Sequence, residues 1–214
     1  MREKFDQQME ILHTELIELG ALCEQAIGRT YEVLLEGNQR AAEEIIKKDQ
    51  VVDAKEREIE DLCFRIILQQ QPVARDLRTI SAAMKMVTDM ERIGDHAADI
   101  SEITVMLGNQ PYPFSLDLIK KMATETMIML IRSIEAYVEK DIVKAQSVIK
   151  HDDIIDALFD EVKQKLITLI HEAPDNGEQA TDFLMIAKYF ERIGDHATNI
   201  SEWVIFAFRA QTEN

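Results

Sequence analysis

Four pairs of acidic residues have the spacing of a single helix face: Asp49 and Asp53, Glu91 and Asp95, Asp152 and Asp156, Glu191 and Asp195. Residues four apart on an α-helix lie one turn from each other, so each pair presents two carboxylates side by side. Carboxylates crowded onto packing faces repel and desolvate one another, which raises their pKa values unless cations neutralise them. Hard oxygen ligands of this kind suit Mg, Mn, Ca or iron, and several such metals can share bridging carboxylates. The chemistry indicated is metal binding.

Two of the pairs lie in a stretch that the chain contains twice. Residues 91–102 return as residues 191–202 with ten of twelve positions identical, at a constant offset of 100. That is too specific for composition bias and reads as an internal duplication. It extends upstream, where Asp49-Gln50-Val51-Val52-Asp53 matches Asp152-Asp153-Ile154-Ile155-Asp156 at an offset of 103. Gly94 and Gly194 fall between the paired carboxylates in mid-helix, where Gly costs about 1 kcal/mol relative to Ala. A cost repeated at one place indicates that something approaches the backbone there.

The elements that must position these residues are helices. Only 7 Gly and 4 Pro, without β-branched alternation, point to an all-α chain. Apolar residues recur every three or four positions, and breakers divide them into helices over about 5–36, 38–70, 73–107, 115–139, 142–171 and 179–209. Asn38 is a good N-cap after Gly37. Short loops between long helices imply antiparallel neighbours. The expected architecture is two pseudo-symmetric three-helix bundles, residues 1–108 and 115–214, joined by a linker at 109–114.

Register brings the pairs to one level. The midpoint of Asp49 and Asp53 lies 21 residues before the turn at Pro72, and that of Glu91 and Asp95 lies 21 residues after it. Both pairs therefore sit about 30 Å from the turn. In the second half the pair midpoints are equidistant from the Ala173-Pro174 turn. Asp49 and Glu56 also interrupt the apolar stripe Ile45, Val52, Ile59, Cys63, where core residues belong. Acidic pairs are common in a chain with 40 acidic residues, but two register-matched pairs, repeated, are harder to read as a solvated face.

Other candidates carry less. His96 and His196 follow the Asp by one residue and so point away from the Glu/Asp face, in a supporting or surface role. They join Glu56 and Asp99 as additional candidates beside the eight carboxylates. Glu10 and His13 have the spacing of a di-iron ligand pair, but His13 falls roughly 16 Å from the carboxylate level and reads as part of a surface pair. Met84, Met86, Met90, Met122, Met127 and Met129 read as core filler. Cys23 and Cys63 lie on apolar stripes and read as buried thiols in a reducing compartment. No catalytic Ser/His/Asp or Cys/His set and no phosphate-cradling loop emerges from the spacing.

A formal charge of −16 argues against nucleic acid and against adsorption to an anionic membrane. No apolar run approaches the roughly 18 residues of a membrane span, nor opens the chain as a signal peptide. A cytoplasmic protein that presents itself to cations or a basic protein surface is expected.

With the duplicated Glu-Arg-Ile-Gly-Asp-His stretches, the upstream acidic pairs and Gln71-Pro72-Val73-Ala74-Arg75-Asp76-Leu77-Arg78, nearly the whole chain resembles the PhoU family. The resemblance implies two three-helix repeats bearing multinuclear metal clusters on Asp49, Asp53, Glu91, Asp95, Asp152, Asp156, Glu191 and Asp195. Iron is the first expectation for the metal, with zinc, manganese or magnesium as alternatives. The resemblance also implies a non-enzymatic, homodimeric negative regulator that couples a phosphate ABC transporter ATPase to a sensor histidine kinase. The halves differ at Asp99/Asn199 and Glu56/Phe159, so equal metal binding by both is not implied. The alternative from another class is a carboxylate-bridged metalloenzyme or a metal-storage bundle.

Overall fold

The fold comes from a computed structural model that describes residues 2–108 and 111–209. Six helices follow one another: α1 (Arg2–Glu36), α2 (Gln39–Gln70), α3 (Ala74–Leu107), α4 (Asp117–Glu139), α5 (Ile142–Glu172) and α6 (Gly177–Phe208). A single 3₁₀ turn, Pro174–Asn176, precedes α6. No strand occurs among the described residues. Of the expected linker, residues 109 and 110 lie outside the described residues, and 111–116 form an irregular crossing to α4.

The turns show why the helices stop where they do. The Asn38 side chain accepts the Ala41 N–H at 3.1 Å, and the Asp141 side chain accepts the Lys144 N–H at 2.9 Å. Before each cap stands a left-handed residue, Gly37 (φ 61°) and Lys140 (φ 58°). Both the cap and the reversal repeat at an offset of 103, so the duplication reaches the first turn of each half.

The apolar stripes meet in a main core shared by all six helices, including Leu16, Leu19, Ile27, Ile59, Met86, Met90, Met122, Met129, Phe183 and Phe190, and a small separate cluster forms around Val33, Ala42 and Ile45. Across the halves α1 packs on α4 and α3 on α6. Ile134 of α4 fills the space over Gly20, where a side chain would collide with it. Central α3 and α6 run antiparallel: Asp89 meets His196, His96 meets Tyr189, and Arg78 lies over Phe206. The free thiols of Cys23 and Cys63 are buried, and burial pushes both up to about 12.

One expectation fails. Glu10 is exposed, but His13 is not a surface residue: its ring is half-buried, 5.5 Å edge-on to Tyr137 of α4, with Nε2 buried and unpartnered. The first helix alone gave no sign that α4 covers this face.

Candidate metal centre

Close approach of α2 to α3 creates the first cluster. A Cβ on Gly94 would lie 2.9 Å from Val52 Cγ1 and 3.1 Å from Asp49 Oδ1. On Gly194 it would lie 3.2 Å from Asp152 Oδ1 and 3.4 Å from Ile155 Cγ2. In each half, therefore, what approaches the mid-helix glycine is a carboxylate and the branched side chain three residues after it.

One carboxylate oxygen from each of Asp49, Asp53 and Asp95 lies within 4.8 Å of the others. Burial first, and then the charges of Asp95, Asp53 and Asp99, push Asp49 up to about 6. Its Oδ1 is buried without a hydrogen-bond partner. Glu91 does not join the three oxygens. Burial and the Asp95 charge push it up to about 7 against the opposing Arg92 guanidinium, with Glu56 and Asp53 adding to the rise. Arg92 donates to Asp95 at 2.8 Å and lies 3.4 Å from Glu91. Glu56 is half-buried and raised by burial, Glu60 and Asp53.

The second half gathers the same carboxylates less tightly. Burial, Asp195, Asp156, Glu191 and Asp153 push Asp152 up to about 6. Burial and Glu191 raise Asp195, opposed by the Lys188 ammonium. No three ligand atoms converge there among the described residues. Asp156 and Asp195 are exposed where Asp53 and Asp95 are half-buried, while Lys188 donates to Glu191 and its ammonium lies 5.4 Å from the Phe159 ring centroid. At the equivalent positions the first half has Thr88 and Glu56.

A cavity of about 320 Å³ backs Asp49, with Leu22, Ala26, Lys48 and Gly94 in its lining. At an offset of 103, Leu22, Ala26 and Lys48 become Glu125, Met129 and His151. Met129 is buried, and His151 Nε2 meets Glu125 at 2.6 Å. The second half has thus filled and bridged the place that stays open in the first.

His96 and His196 turn away from the carboxylate pairs, as their sequence position requires, His96 into the interior and His196 to a half-buried position. Their rings lie 5.5 Å apart where α3 meets α6, and His96 is buried. His96 Nδ1 is 3.2 Å from Asp99, and His196 Nδ1 is 2.9 Å from Asp89. Asn199 donates to Asp89 at 3.1 Å. Burial lowers the His96 pKa against the hydrogen bond to Asp99, which raises it. Sequence reasoning missed Asp89, Lys188 and Tyr189. The signal was present, because the offset of 100 pairs Thr88-Asp89 with Lys188-Tyr189, a break in likeness just before the repeated motif.

The donor set fits a hard cation. Asp49, Asp53 and Asp95 offer three oxygens to one point, and Asp49 keeps an orphaned buried oxygen that a cation would satisfy. A family model described as the PhoU domain matches residues 16–104 and again 119–204, one match in each half. The chain belongs to the PhoU family. A phosphate-specific transport system accessory protein PhoU homolog of Clostridium acetobutylicum is 39% identical over 206 residues, covering 96% of this chain and 94% of that one. Its counterpart in Zymomonas mobilis is 36% identical over 95% of this chain and 86% of its own. The crystal structure of PhoU from Pseudomonas aeruginosa superposes with a TM-score of 0.91 at 28% identity, over 96% of this chain and 99% of that one. The phosphate transport system regulatory protein PhoU from Streptococcus pneumoniae gives 0.87 at 25% identity over 98% of each chain. No helix among the described residues is long and apolar enough to cross a membrane.

Proposed function

We propose that this chain is a metal-binding negative regulator of phosphate uptake and of the phosphate-starvation response. It acts in the cytoplasm as a non-enzymatic, homodimeric adaptor between a phosphate ABC transporter ATPase and a sensor histidine kinase. The phosphate role is supported by the names of its relatives, accessory proteins of phosphate-specific transport systems. The metal role is carried by the convergence of Asp49, Asp53 and Asp95 around an unsatisfied carboxylate oxygen.

Asp49, Asp53 and Asp95 hold the cation in the first half, with Glu91 and Glu56 near enough to feel its charge. When bound, the cation supplies positive charge that lets these carboxylates stay ionised at neutral pH. In the second half Asp152, Asp156, Glu191 and Asp195 form the weaker site, because no three of their oxygens converge and Lys188 pairs with Glu191. Iron is the first choice of metal, with zinc, manganese or magnesium as alternatives.

Two experiments test this reading. Elemental analysis of protein purified without chelator should show metal, and Asp53→Ala with Asp95→Ala should remove it from the first half alone. Deleting the gene should leave phosphate-starvation genes on and uptake unrestrained when phosphate is plentiful. If reporter output and uptake stay at the wild-type level, the alternative, a carboxylate-bridged metalloenzyme or storage bundle, moves ahead. It is assayed with ferrous iron and oxygen.

A further inference from the structure

Duplication leads one to expect equivalent positions to look alike, and the turn between the second and third helix of each half departs from this. At an offset of 100, Val73 pairs with Ala173, Arg75 with Asp175, Leu77 with Gly177 and Arg78 with Glu178. Two apolar side chains of the first half are minimal in the second, and two cations are replaced by carboxylates. Between Asp61 and Asp76 the α2–α3 turn carries a local positive balance from Arg65 and Arg75. Residues 62–75 contain no acidic residue, in a chain of formal charge −16.

The apolar side chains at this turn face water. Leu68 is 78% exposed, Val73 66% and Phe64 51%. Arg65 and Arg75 are exposed and have no ion-pair partner among the described residues. Arg78 lies 4.4 Å from the ring centroid of Phe206, which carries the patch onto the end of α6. Between the helices Gln71 is held at φ 46°, a left-handed conformation that a residue with a side chain rarely adopts. Apolar patches with a polar rim mark interaction sites, and arginine is enriched where such sites carry binding energy.

We infer that the α2–α3 turn is a docking knob for a protein partner that offers an apolar cleft rimmed by carboxylates. Charge complementarity decides the class of occupant. A protein surface can set a few carboxylates opposite Arg65, Arg75 and Arg78, whereas an anionic bilayer would also repel the acidic body behind the knob. A second copy of this chain offers that body mostly more negative charge. The inference deepens the regulatory reading and rests on it, since it names the surface through which the chain meets the transporter ATPase or the kinase.

The test immobilises the cognate transporter ATPase and the cytoplasmic part of the cognate kinase, and titrates each with the full chain. Two variants are compared with the wild type. Arg75→Asp installs the residue the second half carries at the equivalent place, and Leu68→Ser with Val73→Ser removes the apolar tip. Binding that weakens with salt, and is weakened about tenfold in both variants at unchanged metal content and melting temperature, is expected. Wild-type affinity in both variants overturns the knob while leaving the regulatory reading standing. Failure of the wild type to bind either protein overturns both. Sedimentation with phosphatidylglycerol–phosphatidylethanolamine vesicles that the variants lose reassigns the turn to lipid and overturns the protein partner.

Discussion

At the scale of single residues, the two glycines are the most exacting positions. Gly94→Ala gains helix propensity of about 1 kcal/mol but pushes a methyl into Val52, a branched side chain with little freedom to turn aside. The net expectation is a loss of about 1–2 kcal/mol together with weaker metal binding, because Asp49 must move as well. Gly194→Ala meets longer contacts and should cost less, a difference that denaturant melts of the two variants would show. Lys188→Thr, which copies the residue at position 88, should strengthen metal binding in the second half by freeing Glu191. Metal stoichiometry unchanged from wild type under limiting metal would refute that.

At the scale of the elements, the helices that hold carboxylates together do so against repulsion. Asp49 and Asp152 at about 6, and Glu91 at about 7, sit above the values near 4 of the unfolded chain. Below about pH 4 both states hold the protons, and this contribution to stability is fully present. Between about 4 and 7 only the folded chain keeps them, so stability falls as pH rises through this window. Discounted for the partial exposure of these groups, the loss is on the order of 1 kcal/mol each. Chelation should therefore lower the melting temperature at pH 7, and acidification to pH 5 should restore part of it. A calorimetric scan indifferent to chelator at both pH values would contradict the site. The helices themselves were legible in the sequence because their apolar period and their breakers are local. The meeting of Asp49, Asp53 and Asp95 was legible because two helices joined by a short turn leave only one register. What stayed hidden came from packing between the halves. The burial of His13 under α4, and of His96 against His196, depends on which faces of α1, α3, α4 and α6 meet, and no local pattern records that. Lys188 shows a different gap, since one cation three residues before a carboxylate reads as an ordinary helix pair until the neighbouring helix is in place.

At the scale of the whole molecule, the shared core should make unfolding a single event. Calorimetric and van't Hoff enthalpies are expected to agree for the metal-free chain, and two resolved transitions would show the halves to be independent. The antiparallel meeting of α3 and α6 also has a genealogical consequence. Each half carries on its central helix the surface that covers the other, so a half-length polypeptide paired with its own copy would close much the same core. In such a pair His96 would meet Asp89 of the second copy, just as His196 meets Asp89 here. Residues 1–108 produced alone should accordingly sediment as a dimer, a living replica of the ancestor whose two subunits became one chain.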